Sequence, residues 1–121
     1  MKTIEQAIDA LVAFRDERDW KQFHTPKNLA AALAIEAAEL QETMLWKSDD
    51  EVAKLLANAE GRASVSGEIA DVLIYALLLC HSTGIDPLTA IAEKLEENRQ
   101  KYPADISRGK ATKYTDLPKP S

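Results

Sequence analysis

Gly67-Glu68-Ile69-Ala70-Asp71-Val72-Leu73-Ile74-Tyr75-Ala76-Leu77-Leu78-Leu79 is apolar almost all round, yet it carries two acids three residues apart. Leu29-Ala30-Ala31-Ala32-Leu33-Ala34-Ile35-Glu36-Ala37-Ala38-Glu39-Leu40 repeats the pattern with Glu36 and Glu39. Such stretches read as helices buried on most sides. Residues at i and i+3 share one helix face, about a turn apart. A buried carboxylate without a partner costs several kcal/mol or changes its protonation state. Two such pairs therefore call for a cation, with Glu36, Glu39, Glu68 and Asp71 as its ligands. Hard carboxylate oxygens select Mg²⁺, with Mn²⁺ or Ca²⁺ next, over zinc. Glu42, three residues beyond Glu39, offers a further ligand or base, or an ordinary exposed acid at a helix end.

Redox iron fits this pattern poorly. Carboxylate-bridged di-iron bundles use Glu-x-x-His on their helices, whereas Glu39 and Asp71 stand where histidine would be needed. The two histidines, His24 and His81, do not follow an acid at that spacing on a long helix. No glycine-rich phosphate loop, Ser-His-Asp set or Cys-x-x-Cys pair is present, so nucleophilic catalysis finds no support.

The 121 residues form one domain, with 45% hydrophobic and 29% charged residues, as in an ordinary globular chain. A net charge of −5 disfavours a nucleic acid polymer as partner. The lone Cys80 excludes an intrachain disulfide and suits a reducing compartment; inside an apolar run it serves as a small buried side chain. Met1-Lys2-Thr3-Ile4 opens no signal peptide, and the run from Ile69 to Cys80 is too short to span a bilayer. A cytoplasmic protein with no membrane partner is the expectation.

Capping chemistry divides the chain. Thr3 with Gln6 predicts a first helix from Ile4 to about Asp19, its far end charged through Arg15, Asp16, Glu17 and Arg18. Asp19 to Thr25 is a connection holding Trp20, Phe23 and His24, the last read as a structural hydrogen-bonding residue. Thr25-Pro26 opens a second helix reaching about Trp46, and Ser48 with Glu51 opens a short one through Leu56. Gly61 to Gly67 reads as a break or kink. A third long helix then covers about Val65 to Thr83, stopped by Gly84. Asp86-Pro87 starts a fourth, running to about Lys101, and Pro103 ends it. The expectation is an all-α, four-helix bundle-type subunit spanning residues 1–103, with an irregular tail over 104–121. Helices this apolar exceed what one small bundle buries, so a homodimer or homotetramer is expected.

Magnesium held by carboxylates commonly bridges to substrate phosphates. Lys94, Arg99, Lys101, Arg108, Lys110 and Lys113 give a local positive bias suited to a polyphosphate. An ordinary solvated helix face laced with ion pairs explains the same residues. Trp20, Trp46, Phe23 and Tyr75 are candidates to stack on a base, and equally candidates for core or subunit contact.

Glu36-x-x-Glu39, a spacer of about thirty residues and Glu68-x-x-Asp71 together resemble the metal motif of the MazG-like, all-α nucleoside triphosphate pyrophosphohydrolases. Arg18-Asp19-Trp20-x-Gln22-Phe23-His24, Pro26-x-Asn28-Leu29 and Trp46-Lys47 are similar to segments of the dCTP pyrophosphatase branch. So are Asp71-Val72-Leu73-Ile74-Tyr75, Asn98-Arg99-x-x-Tyr102-Pro103 and Lys113-Tyr114-Thr115-x-Leu117-Pro118. The resemblance implies hydrolysis of (deoxy)nucleoside triphosphates to monophosphate and pyrophosphate, in the service of nucleotide-pool cleansing. It implies Mg²⁺ on Glu36, Glu39, Glu68 and Asp71, and base contacts from Trp20 and Trp46. Tyr75, Lys94 and Asn98 match residues that contact sugar or phosphates, and the pockets are built from more than one subunit. Glu39 is the candidate base that orients the attacking water. Leu11 or Val12 stands where that branch has a first-helix histidine, and the spacer between the acid pairs is short. The alternative is a helical oligomer that binds metal or nucleotide without catalysis.

Overall fold

The computed structural model describes residues 1–118, so the last part of the predicted tail, 119–121, lies outside the described residues. Six α-helices appear among them and no strand: α1 (Ile4–Glu17), α2 (Pro26–Glu42), α3 (Asp49–Ala57), α4 (Ala59–Thr83), α5 (Pro87–Lys101) and α6 (Ala104–Ser107). The all-α class is borne out.

The caps form as the sequence dictates. Thr3 accepts from the Gln6 amide at 3.0 Å, while the Gln6 side chain reaches back to the Lys2 amide at 2.7 Å. Thr25 caps α2 ahead of Pro26. Ser48 and Glu51 close a reciprocal capping box on α3. Asp86 caps α5 through the Thr89 amide at 2.8 Å. Gly84 ends α4 in the left-handed region, φ 73°, where glycine carries no Cβ penalty.

Several boundaries depart from the sequence reading. Helix α1 stops at Glu17 because Asp19 turns left-handed at φ 53°, and the Trp20 amide then bonds back to the Arg15 carbonyl. Helix α2 stops at Glu42, not Trp46: the Thr43 hydroxyl donates to the Leu40 carbonyl at 2.7 Å, and Trp46 takes φ 65° in the turn that follows. The break expected over Gly61–Gly67 does not exist. Asn58 caps α4 from its far side, accepting from the Glu60 and Gly61 amides, and the helix continues through both glycines. Gly61 is there for space, since a Cβ would strike the Leu55 carbonyl and side chain at the end of α3. The tail is not wholly irregular: Pro103 leads into α6, and Tyr114–Asp116 forms one 3₁₀ turn.

The chain forms two compact units, Met1–Gly84 and Ile85 onward. In the first, α4 packs chiefly on α2 and secondarily on α3 and α1. Its buried apolar residues, Leu29, Val65 and Leu78, come from α2 and α4. Ile35, Ile69 and Leu73 of the same two helices remain exposed. Starting at Ala59, α4 has 25 residues and is long and apolar enough to cross a membrane by length and composition, unlike the shorter run read from sequence. Glu68 and Asp71 interrupt that apolar surface near its middle. In the second unit, Ile85, Leu88, Ile91 and Leu95 are exposed.

Candidate metal and nucleotide site

Helices α2 and α4 bring their acids face to face. Glu36, Glu39 and Glu68 each offer a carboxylate oxygen, and these oxygens all lie within 4.8 Å of one another. Asp71 is half-buried three residues along α4 from Glu68 and is not one of that set of three. The Oε2 atoms of Glu36 and Glu68 are buried and have no hydrogen-bond partner among the described residues. No guanidinium or ammonium group pairs with these acids among the described ion pairs.

The electrostatic consequence falls mainly on Glu36. Its carboxyl is pushed up to about 7, first by a hydrogen bond shared with Glu39, then by desolvation and by the charges of Glu39, Asp71 and Glu68. Glu68 is also raised, first by desolvation, then by Glu39 and Asp71, with a smaller push from Glu42. Clustered acids with unsatisfied oxygens, and no cationic side chain paired to them among the described residues, suit a hard divalent cation. The acids can hold one.

Along α4, Glu68, Asp71, Tyr75 and Leu78 follow in steps of three and four, which puts them on one stripe. The stripe runs from the carboxylates into a cavity of about 280 Å³, where Tyr75 and Leu78 meet Leu11, Phe14, Trp20 and His24. From Glu68 to Tyr75 the helix advances about 10 Å, roughly the reach of a nucleotide from its phosphates to its base. Trp20 meets Phe14 edge-on at 5.8 Å and lies tilted to His24 at 6.3 Å. Gln22 and Asn28 brace the connection by donating to the Asp19 and Phe23 carbonyls at 3.0 and 3.1 Å.

Arg15 also lines this cavity. The sequence reading placed it on the charged end of the first helix, yet it is only 6% exposed. Ile8, Leu11 and Arg15 follow at helical spacing, so the register of the apolar stripe carried that signal. His24 is held below its ordinary pKa, first by burial and then by the Arg15 charge, and its Nδ1 is buried without a partner.

Trp46, Lys94 and Asn98 are not among the residues that line this cavity. Trp46 is 92% exposed and does not line the cavity that Trp20 enters. Lys94 and Asn98 lie on α5 in the second unit, where Lys94 pairs with Glu97 at 3.2 Å. Arg99 pairs with Glu96 at 3.2 Å, and Lys101 with Glu97 at 2.9 Å. The positive bias read along this helix is thus largely answered by its own acids.

The chain is similar to known proteins along most of its length. The MazG-like family model matches residues 31–117. The chain is 44% identical over 117 residues to dCTP pyrophosphatase 1 of Rattus norvegicus, covering 97% of this chain and 69% of that protein. With dCTP pyrophosphatase 1 of Homo sapiens it shares 40% over 116 residues, 96% and 68% of the two chains. A crystal structure of a pyrophosphatase from Archaeoglobus fulgidus DSM 4304 superposes with a TM-score of 0.76 at 47% identity, covering 82% of this chain and 91% of the other.

Proposed function

The chain belongs to the MazG-like family, and on that premise we propose that it hydrolyses deoxynucleoside triphosphates, dCTP foremost, to the monophosphate and pyrophosphate. It is a nucleoside triphosphate pyrophosphohydrolase, working as one helical domain with its C-terminal tail. The observation that carries this reading is the convergence of Glu36, Glu39 and Glu68 from two helices, with the Oε2 atoms of Glu36 and Glu68 buried and without a hydrogen-bond partner among the described residues.

Glu36, Glu39, Glu68 and Asp71 would hold Mg²⁺, or Mn²⁺ in its place, and the cation would supply neutralisation of the charge on the triphosphate and on the departing pyrophosphate. Glu39, the exposed member of the trio, orients a water for in-line attack on the α-phosphorus. A P–O bond forms to that water, the bond from the α-phosphorus to the bridging oxygen breaks, and Glu39 takes the proton. Trp20 and Tyr75 receive base and sugar in the cavity beside the acids. Trp46 acts on the base, and Lys94 and Asn98 keep the substrate-contacting roles implied by the family resemblance.

The active form is a homodimer or homotetramer. Its support is the exposure of Ile35, Ile69 and Leu73 on the helices that carry the acids, apolar surface that a second copy covers. Nucleotide-pool cleansing in the cytoplasm is the proposed setting, with neither a nucleic acid polymer nor a membrane as partner.

The test is a panel of dNTPs incubated with purified protein and Mg²⁺, with the products resolved. Monophosphate and pyrophosphate in equal amounts are expected. Release of orthophosphate, or no turnover of any triphosphate, would overturn the reading.

A further inference from the structure

Arg15 places a guanidinium at an apolar, aromatic-walled cavity, a position that costs free energy unless something there uses it. Its partner satisfies only part of it. Nε donates to Asp16 Oδ1 at 2.9 Å, and Nη2 approaches the same oxygen at 2.8 Å. No described residue accepts from Nη1. The Nη1/Nη2 end of the fork therefore keeps donors for a ligand. Trp20 supplies an aromatic face at the same cavity, and Tyr75 links it to the stripe of α4 that carries the acids.

We infer that Arg15 is the base-selecting residue, its guanidinium donating to O2 and N3 of a cytosine seated in this cavity, an inference that rests on the function proposed above. A guanidinium end requires two adjacent acceptors. Among Watson–Crick edges only cytosine presents them, because thymine and uracil carry N3–H, guanine N1–H and adenine a single ring acceptor. A donor facing N3–H leaves both groups unpaired, and a site built around specific hydrogen bonds rejects such an analogue strongly. Guanine offers adjacent acceptors on its Hoogsteen edge but brings a larger ring system. Beside Arg15, the neutral His24 imidazole presents an unpaired Nδ1, suited to accept from the exocyclic amine of cytosine.

The test reads tryptophan fluorescence while dCMP, dTMP, dUMP or dGMP is titrated into the wild-type protein, then compares kcat/KM for the four deoxynucleoside triphosphates in Arg15→Met. Wild type should bind dCMP about tenfold or more tightly than dTMP or dUMP, and Arg15→Met should cut kcat/KM for dCTP about ten- to hundredfold. Turnover of dTTP and dUTP should change only a few-fold, so that selectivity collapses. Equal binding of the monophosphates by wild type, a preference for dGMP, or an equal loss on all substrates in the variant would overturn the inference. If Arg15→Met fails to fold by circular dichroism, Arg15→Lys keeps the charge but loses the two-pronged fit, and the same collapse of selectivity is required of it. Monophosphate binding needs no turnover, so a protein that discriminates bases yet hydrolyses nothing would refute the proposed function alone.

Discussion

Glu36 on α2 and Glu68 on α4 approach each other across a helix interface, their carboxylate oxygens within 4.8 Å and each residue keeping a buried Oε2 without a partner among the described residues. Two like charges are held together by helices whose apolar faces pack around them. The packing of α2 on α4 opposes that repulsion in the metal-free chain, and a divalent cation converts repulsion into attraction.

Glu36→Gln separates these contributions. Removing one charge should raise the thermal midpoint measured in chelator, because Glu36 is repelled by Glu39, Asp71 and Glu68. The same change should remove most of the stabilisation by Mg²⁺ and lower kcat on the order of a hundredfold. Melts with and without chelator, alongside initial rates, provide the check.

The metal-free chain should lose stability as pH rises from about 4.5 to about 7. Glu36 binds its proton more tightly folded than unfolded, with its pKa moved from 4.5 up to about 7, and Glu68 shifts the same way. Their stabilisation is complete below the unfolded value and is lost through the folded one. Glu51 and Asp86 act oppositely: their lowered pKa values, from backbone hydrogen bonds at Ser48 and Thr89, give stability that is lost as pH falls below the ordinary carboxylate range. Saturating Mg²⁺ should abolish the decline towards neutrality, since the cation displaces the proton. A series of melts in chelator and in Mg²⁺ measures both slopes.

Gly61 and Gly67 should respond in opposite directions to alanine. At Gly61 the added methyl meets the Leu55 carbonyl, and overpacking of that kind costs about 1–3 kcal/mol. At Gly67 a Cβ meets nothing within 4 Å, so alanine should stabilise the helix by about 0.5–1 kcal/mol. Chemical denaturation of the two variants decides it.

Trp46 combines 92% exposure with a left-handed backbone, an arrangement that contributes little burial within its own chain and costs about 1–3 kcal/mol for a bulky residue. Trp46→Gly should therefore leave the denaturation midpoint unchanged or higher while raising KM for dCTP. A lower midpoint with unaltered KM would make the side chain structural.

The starts of α1, α2, α3 and α5 were legible because they rest on local chemistry. Ser48 with Glu51, Thr25 before Pro26 and Asp86 before Pro87 each satisfy backbone groups within one turn. The continuity of α4 was not legible, because it depends on Asn58 capping from outside the glycine-rich segment and on Leu55 filling the space at Gly61. Arg15 escaped for a related reason. Its neighbours Asp16, Glu17 and Arg18 made it look like part of a solvated helix end, whereas the register with Ile8 and Leu11 turns it inward. The sequence carries no local signal that the helix ends before Trp46, whose left-handed backbone belongs to the turn after Thr43.

Calorimetric titration of Mg²⁺ into the metal-free protein, with a non-hydrolysable dCTP analogue present, tests most directly whether the acids of α2 and α4 share one ion. Saturable uptake by wild type that disappears in Glu68→Gln is the predicted result. Absence of uptake by the wild-type protein, or undiminished uptake once Glu68 is neutralised, would contradict it.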